Sequence, residues 1–157
     1  MTRQKTYTVD QALERLKNYC AYQERCHMEV RTKLQSMGMI PEAVDVIVTA
    51  LIQHDFLNES RFAKSYARGK LKAKHWGKQR IVRELKQREI SKFNIEQALK
   101  EISEEEYLTS FSALAQKRVA QIKEKNRYKK RKKLADYLLY RGWESSLVYD
   151  KVIELVP

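Results

Sequence analysis

Apolar residues recur along the chain at spacings of three and four, the period of a helix that buries one side. Val9, Ala12, Leu13, Leu16 and Tyr19 form the first such run, and Phe62, Ala63, Tyr66 and Ala67 another. Tyr107, Leu108, Phe111, Leu114, Ala115, Val119 and Ile122 make one stripe, which predicts a helix of about 20 residues, roughly 30 Å long. No segment alternates Val, Ile and Thr in the manner of a strand. The pattern predicts an all-α protein.

The pattern also repeats. Val30, Leu34, Val44, Val48 and Leu51 shift by 51 residues onto Ile81, Leu85, Ile95, Leu99 and Ile102, and these shift by 53 onto Leu134, Leu138, Val148, Val152 and Leu155. Five positions that hold their register through two offsets predict three tandem three-helix repeats of about 50 residues, at 1–54, 55–102 and 103–157. A unit of that size buries only a marginal core, so each repeat is expected to lean on its neighbours in an elongated, curved array.

Local signals place the helix ends. Thr8-Val9-Asp10-Gln11 and Ser103-Glu104-Glu105-Glu106 each predict a capping box, and Asn58 an N-cap. Gly38 closes a helix after Met37, and Pro41 opens the next, where its missing amide costs nothing. His75-Trp76-Gly77 separates two helices of the second repeat, Glu124 to Tyr128 is the nearest thing to a joint, and the last helix runs from about Glu144 to Leu155.

Charge sharpens this picture. The 157 residues carry a net +12, with +8 in residues 68 to 92 and +9 in residues 117 to 133, which leaves the rest at −5. Concentration in two tracts predicts a polyanionic partner rather than a general solubility coat. With Ile81 at zero on a helical wheel, Leu85 lies at about 40° and Val82 at about 100°, whereas Arg83 and Arg80 lie near 200° and 260°. A core face and a cationic face are thus opposed. Lys133 takes the place of Arg80 in the third repeat, and Arg131 that of Lys78, while the first repeat has Glu29 and His27 there. The candidate nucleic-acid-binding set is Arg68, Lys70, Lys72, Lys74, Lys78, Arg80, Arg83 and Lys86 in the second repeat, with Lys125, Arg127, Lys129, Lys130, Arg131, Lys132 and Lys133 in the third. Beside these tracts, Trp76 and Tyr128 either stack on an unpaired base or pack between helices, packing being the expectation for Trp76. Trp143 is read as a core anchor; Tyr140 stays undecided.

Nothing points to catalysis. His27, His54 and His75 lie apart, and neither His-x-x-x-His nor Cys-x-x-Cys occurs, so no metal or cofactor is expected. The four glycines are isolated, which excludes a phosphate-cradling loop. Cys20 and Cys26, about 240° apart on a helical wheel, read as reduced thiols, with Cys26 buried beside a surface His27. Met1 to Thr6 lacks an apolar run and no stretch is long enough to span a membrane, so a cytoplasmic, membrane-free protein is expected; with no catalytic pattern it is read as non-enzymatic, and it is taken to be a monomer.

Arg25-Cys26-His27-Met28-Glu29-Val30-Arg31-Thr32-Lys33-Leu34 through Gly38, Asp55-Phe56-Leu57-Asn58-Glu59-Ser60-Arg61-Phe62-Ala63, and Gly77-Lys78-Gln79-Arg80-Ile81-Val82-Arg83-Glu84-Leu85, in this order, resemble the RecX family of bacterial recombination regulators. Departures are Cys26 where the family commonly has Ser or Thr, Trp76-Gly77 near a common Gly-Pro, and Glu89 where Gly is common. The resemblance implies three-helix modules that bind the RecA recombinase filament in its groove, with DNA contact through basic residues, and that limit filament growth and strand exchange. The alternative is a general module for single- or double-stranded DNA with no RecA partner.

Overall fold

The computed structural model describes residues 5–157, and among them every regular element is helical. The first triplet is α1 (Val9–Tyr22), α2 (His27–Ser36) and α3 (Pro41–Gln53). The second is α4 (Glu59–Gly69), which runs into a π-helical turn at Lys70–Lys74, then α5 (Lys78–Gln87) and α6 (Lys92–Lys100). The third is α7 (Glu104–Gln121), α8 (Arg127–Tyr140) and α9 (Ser145–Leu155).

Local chemistry sets these ends. The Thr8 hydroxyl accepts from the Gln11 amide at 3.1 Å, and the Gln11 side chain accepts from the Thr8 amide at 3.0 Å, a complete capping box. At α7 only half of the expected box forms. Ser103 Oγ accepts from the Glu106 amide at 3.1 Å, but the Glu106 carboxylate turns away to pair with Arg68 at 3.2 Å. Asn58 caps α4 as expected. Cys26, despite its weak sulfur acceptor, caps α2, with Sγ 3.5 Å from the Glu29 amide and Glu29 Oε1 3.2 Å from the Cys26 amide. The two thiols therefore sit on different segments, Cys20 within α1 and Cys26 at the start of α2, and both are buried and free.

All fifteen repeat positions are buried except Leu99 and Leu155, which are half-buried. Two residues of the expected stripes face solvent instead. Val9 sits in the first turn of α1, whose buried positions are Ala12, Leu16 and Cys20, and Leu108 lies beside the buried Tyr107 of α7. The repeats share two cores rather than keeping three. Leu16, Val30, Leu34, Ile47 and Leu51 belong to the first, which also takes Leu57 from beyond α3. The second runs from α4 to Val156, with Trp143, Phe111, Leu71, Ile81 and Leu134 in it, and it takes Cys26 from the first triplet. A fully buried leucine contributes about 1.5–3 kcal/mol by leaving water, so seating Leu57 in the first core, with Cys26 seated in the second, couples the first triplet to the rest. Arg61 adds a polar link, pairing with both Glu24 and Asp55.

Candidate nucleic-acid and filament interface

The first amides of a helix lack partners within it, and in α5 those partners come from the third triplet. The Gly77 N–H donates to the Arg141 carbonyl at 2.8 Å, and the Gln79 N–H to the Gly142 carbonyl at 3.1 Å. The Lys78 N–H donates to Tyr107 Oη at 2.8 Å, and that hydroxyl in turn donates to the Glu144 carboxylate at 2.8 Å. Burial pushes the Tyr107 hydroxyl well above the usual phenol range, so it remains protonated and keeps donating. Trp143, fully buried as expected, donates from its indole to the His75 carbonyl at 3.0 Å and packs against Tyr107 and Phe111. The start of the basic helix α5 is thereby fixed against the turn that follows α8.

Arg80 uses this seam. Its guanidinium lies 4.3 Å from the Trp76 ring centre and 4.9 Å from that of Tyr140, and Nη1 donates to the Tyr140 carbonyl at 3.3 Å. Lys70 bridges the rings of Trp76 and Tyr66, and Arg88 covers Tyr66 as well. Cations and rings thus alternate from Arg88 through Tyr66, Lys70, Trp76 and Arg80 to Tyr140, a residue 69% exposed. Trp76 is half-buried in this ladder, where it both packs and carries charge on its faces. Lys133 lies seven residues before Tyr140, hence on the same side of α8 and about 10 Å away along the axis. The cationic sides of α5 and α8 therefore meet at Arg80 and Tyr140.

Within the candidate set, acidic partners are few among the described residues. Arg68 pairs with Glu106, Lys132 with Asp136 at 2.9 Å, and Lys133 with Glu124 at 3.6 Å. Arg131 Nε donates to the Val156 carbonyl at 2.7 Å and so tethers the end of α9. Lys78 lies over the Tyr107 ring, and Arg127 over Tyr128, which is exposed. Lys72, Lys74, Arg83, Lys86, Lys125 and Lys129 project into solvent, and Lys130 is half-buried, all without a carboxylate partner among the described residues. Equivalent repeat positions consequently do different things: Arg80 stacks, Lys133 pairs with an acid, and Glu29 caps α2.

Two cations outside the candidate set, Lys117 and Arg118 near the end of α7, share a cleft with Lys72 and His75. Their only mark in the sequence is that they open the second basic tract. No group of three or more His, Cys, Asp or Glu among the described residues is arranged to hold a metal ion, and no described helix is long and apolar enough to cross a membrane.

Comparison with known proteins agrees with this architecture. The family model for the second three-helix domain of RecX matches residues 58–99, and that for the third three-helix domain of RecX matches residues 104–152. The regulatory protein RecX of Yersinia enterocolitica is 32% identical over 117 residues, covering 73% of this chain and 68% of that protein. Those of Enterococcus faecalis and Clostridium botulinum are 26% and 32% identical, covering 92% and 80% of this chain and 54% and 59% of their own lengths. This chain therefore spans little more than half the length of these last two relatives. The crystal structure of RecX from Lactobacillus salivarius superposes with a TM-score of 0.78 over 94% of this chain and 96% of that one, at 24% identity, which establishes likeness of fold. Two consecutive domain matches and a relative aligned over most of both chains place the protein in the RecX family of regulatory proteins.

Proposed function

We propose that this protein is a non-enzymatic regulator, mainly an inhibitor, of the RecA recombinase. In this reading it lies in the groove of the RecA–DNA filament, presents the basic sides of α5 and α8 to it, and limits filament growth and strand exchange. The observation that carries the reading is the stack of Arg80 on Tyr140, which joins two cationic helix faces into one surface. A continuous positive surface on helices held at a fixed spacing suits a helical nucleoprotein assembly, because many like charges on one face together attract a polyanion. The helix triplets at 1–54, 55–102 and 103–157 act as three modules, the second and third bearing the charge. The protein acts in the cytoplasm as a monomer, without a cofactor.

RecA-catalysed ATP turnover on single-stranded DNA, measured with and without the protein, tests the reading. Falling turnover, with the protein co-sedimenting on the filament, is expected; unchanged turnover and no co-sedimentation would remove it.

A further inference from the structure

A cleft of about 520 Å³ opens between the π-helical turn and α7, with Tyr137 of α8 in its wall and, from the candidate set, Lys72 alone. Lys72, His75, Ser110, Lys117, Arg118 and Tyr137 are among its walls, and no carboxylate lines it. Two features hold these groups in place. The His75 backbone is left-handed, at φ 59°, and its carbonyl is held by the buried Trp143 indole. The Arg118 guanidinium lies over Tyr137, 4.4 Å from the ring centre, and its Nε is buried with no acceptor among the described residues. A buried donor with no partner is uncommon and calls for an acceptor.

We propose that this cleft binds a phosphate group. Two ammonium groups, a guanidinium and the nearby Thr109 and Ser110 hydroxyls offer more donors than one planar carboxylate accepts, and they suit the tetrahedrally arranged oxygens of a phosphate, two of them free in a diester and three in a terminal group. The carbonyl end of α7 repels an anion there, an effect of half a unit charge against three whole cations. Lys72 and His75 come from the second triplet and the others from the third, so an occupant bridges the two. The phosphate belongs either to a DNA strand that leaves the α5 surface around the π-helical turn or to a free phosphorylated compound.

The test is the thermal unfolding midpoint of the full chain, read with inorganic pyrophosphate, with a dT12 oligonucleotide and with succinate, each against sodium chloride at equal ionic strength. Pyrophosphate is expected to raise the midpoint by a few degrees in the wild type and in the control Arg83→Gln/Lys86→Gln, and not in Lys72→Gln/Lys117→Gln. Both altered lysines are exposed, so the variant folds. If the oligonucleotide effect also needs Lys72 and Lys117, the phosphate is that of the DNA backbone; if only the pyrophosphate effect does, it is that of a free compound. Equal protection by succinate, equal protection of the Lys72/Lys117 variant, or no protection of the wild type overturns the proposal. Because the control pair carries the α5 surface, failure here is separable from failure of the filament reading.

Discussion

Gly77 and Gly142 meet backbone to backbone: a Cβ built on Gly77 would stand 2.5 Å from the Gly142 carbonyl oxygen. No side chain can occupy that space, and the hydrogen bonds that satisfy the start of α5 depend on the approach. Gly77→Ala is expected to lose about 1–3 kcal/mol through forced separation of backbone from backbone. Gly69, with nothing within 4 Å of its Cβ position, is the control, and Gly69→Ala should gain up to about 1 kcal/mol. Urea unfolding midpoints measure both; equal effects would show that the close approach has no energetic weight.

Glu89 holds the position that Gly38 and Gly142 hold in the neighbouring repeats, and at φ 61° it is likewise left-handed. The Ile90 amide donates back to the Leu85 carbonyl at 3.1 Å, so the closing turn survives without glycine, at a steric cost to the side chain of about 1 kcal/mol. Glu89→Gly should raise the unfolding midpoint by the equivalent of about 0.5–1 kcal/mol. A lower midpoint would mean that the Glu89 side chain contributes more than its strain costs.

Burial pushes the thiols of Cys20 and Cys26 from 9.0 up to about 11. A raised thiol pKa stabilises the fold fully below the unfolded value, and that stability is lost as pH rises through the folded value. The unfolding midpoint is therefore expected to fall between about pH 9 and 11, and less steeply in Cys20→Ala/Cys26→Ser, in which serine keeps the α2 cap. In native protein at pH 8 a disulfide reagent should label neither thiol until unfolding. Prompt labelling would contradict their burial.

Charge reversal separates free from engaged cations. Arg83 and Lys86 have no carboxylate partner among the described residues, whereas Lys132 and Lys133 pair with Asp136 and Glu124. Arg83→Glu/Lys86→Glu should weaken binding to single-stranded DNA more than Lys132→Glu/Lys133→Glu, and should flatten the dependence of log affinity on log salt by roughly 0.7 per lost phosphate contact. Fluorescence anisotropy across a salt series reads both effects. Equal losses would mean that the acidic neighbours do not mask α8.

Core positions were legible in the sequence because burial follows the helical period, and Thr8, Asn58 and Gly38 could be read because a cap is decided within four residues. What escaped depends on distant partners. Arg80 and Lys133 are equivalent in register, yet one meets a tyrosine sixty residues away and the other an acid in the preceding loop. Tyr140 could not be assigned without Arg80. Glu106 gave up half of its capping box to Arg68, a long-range contact that local propensity does not contain. The Lys70–Lys74 run, which alternates lysine with Leu71 and Ala73, carried no mark of a π-helical turn.

Competition between protein-free DNA and RecA-coated DNA for a limiting amount of this protein addresses the central claim most directly, with sedimentation reporting where it resides. The protein is expected to partition onto the coated strand, and Arg80→Glu/Arg83→Glu to release it from that strand. Preference for bare DNA, or indifference between the two, would contradict a role as a regulator of the filament and leave a general DNA-binding module in its place.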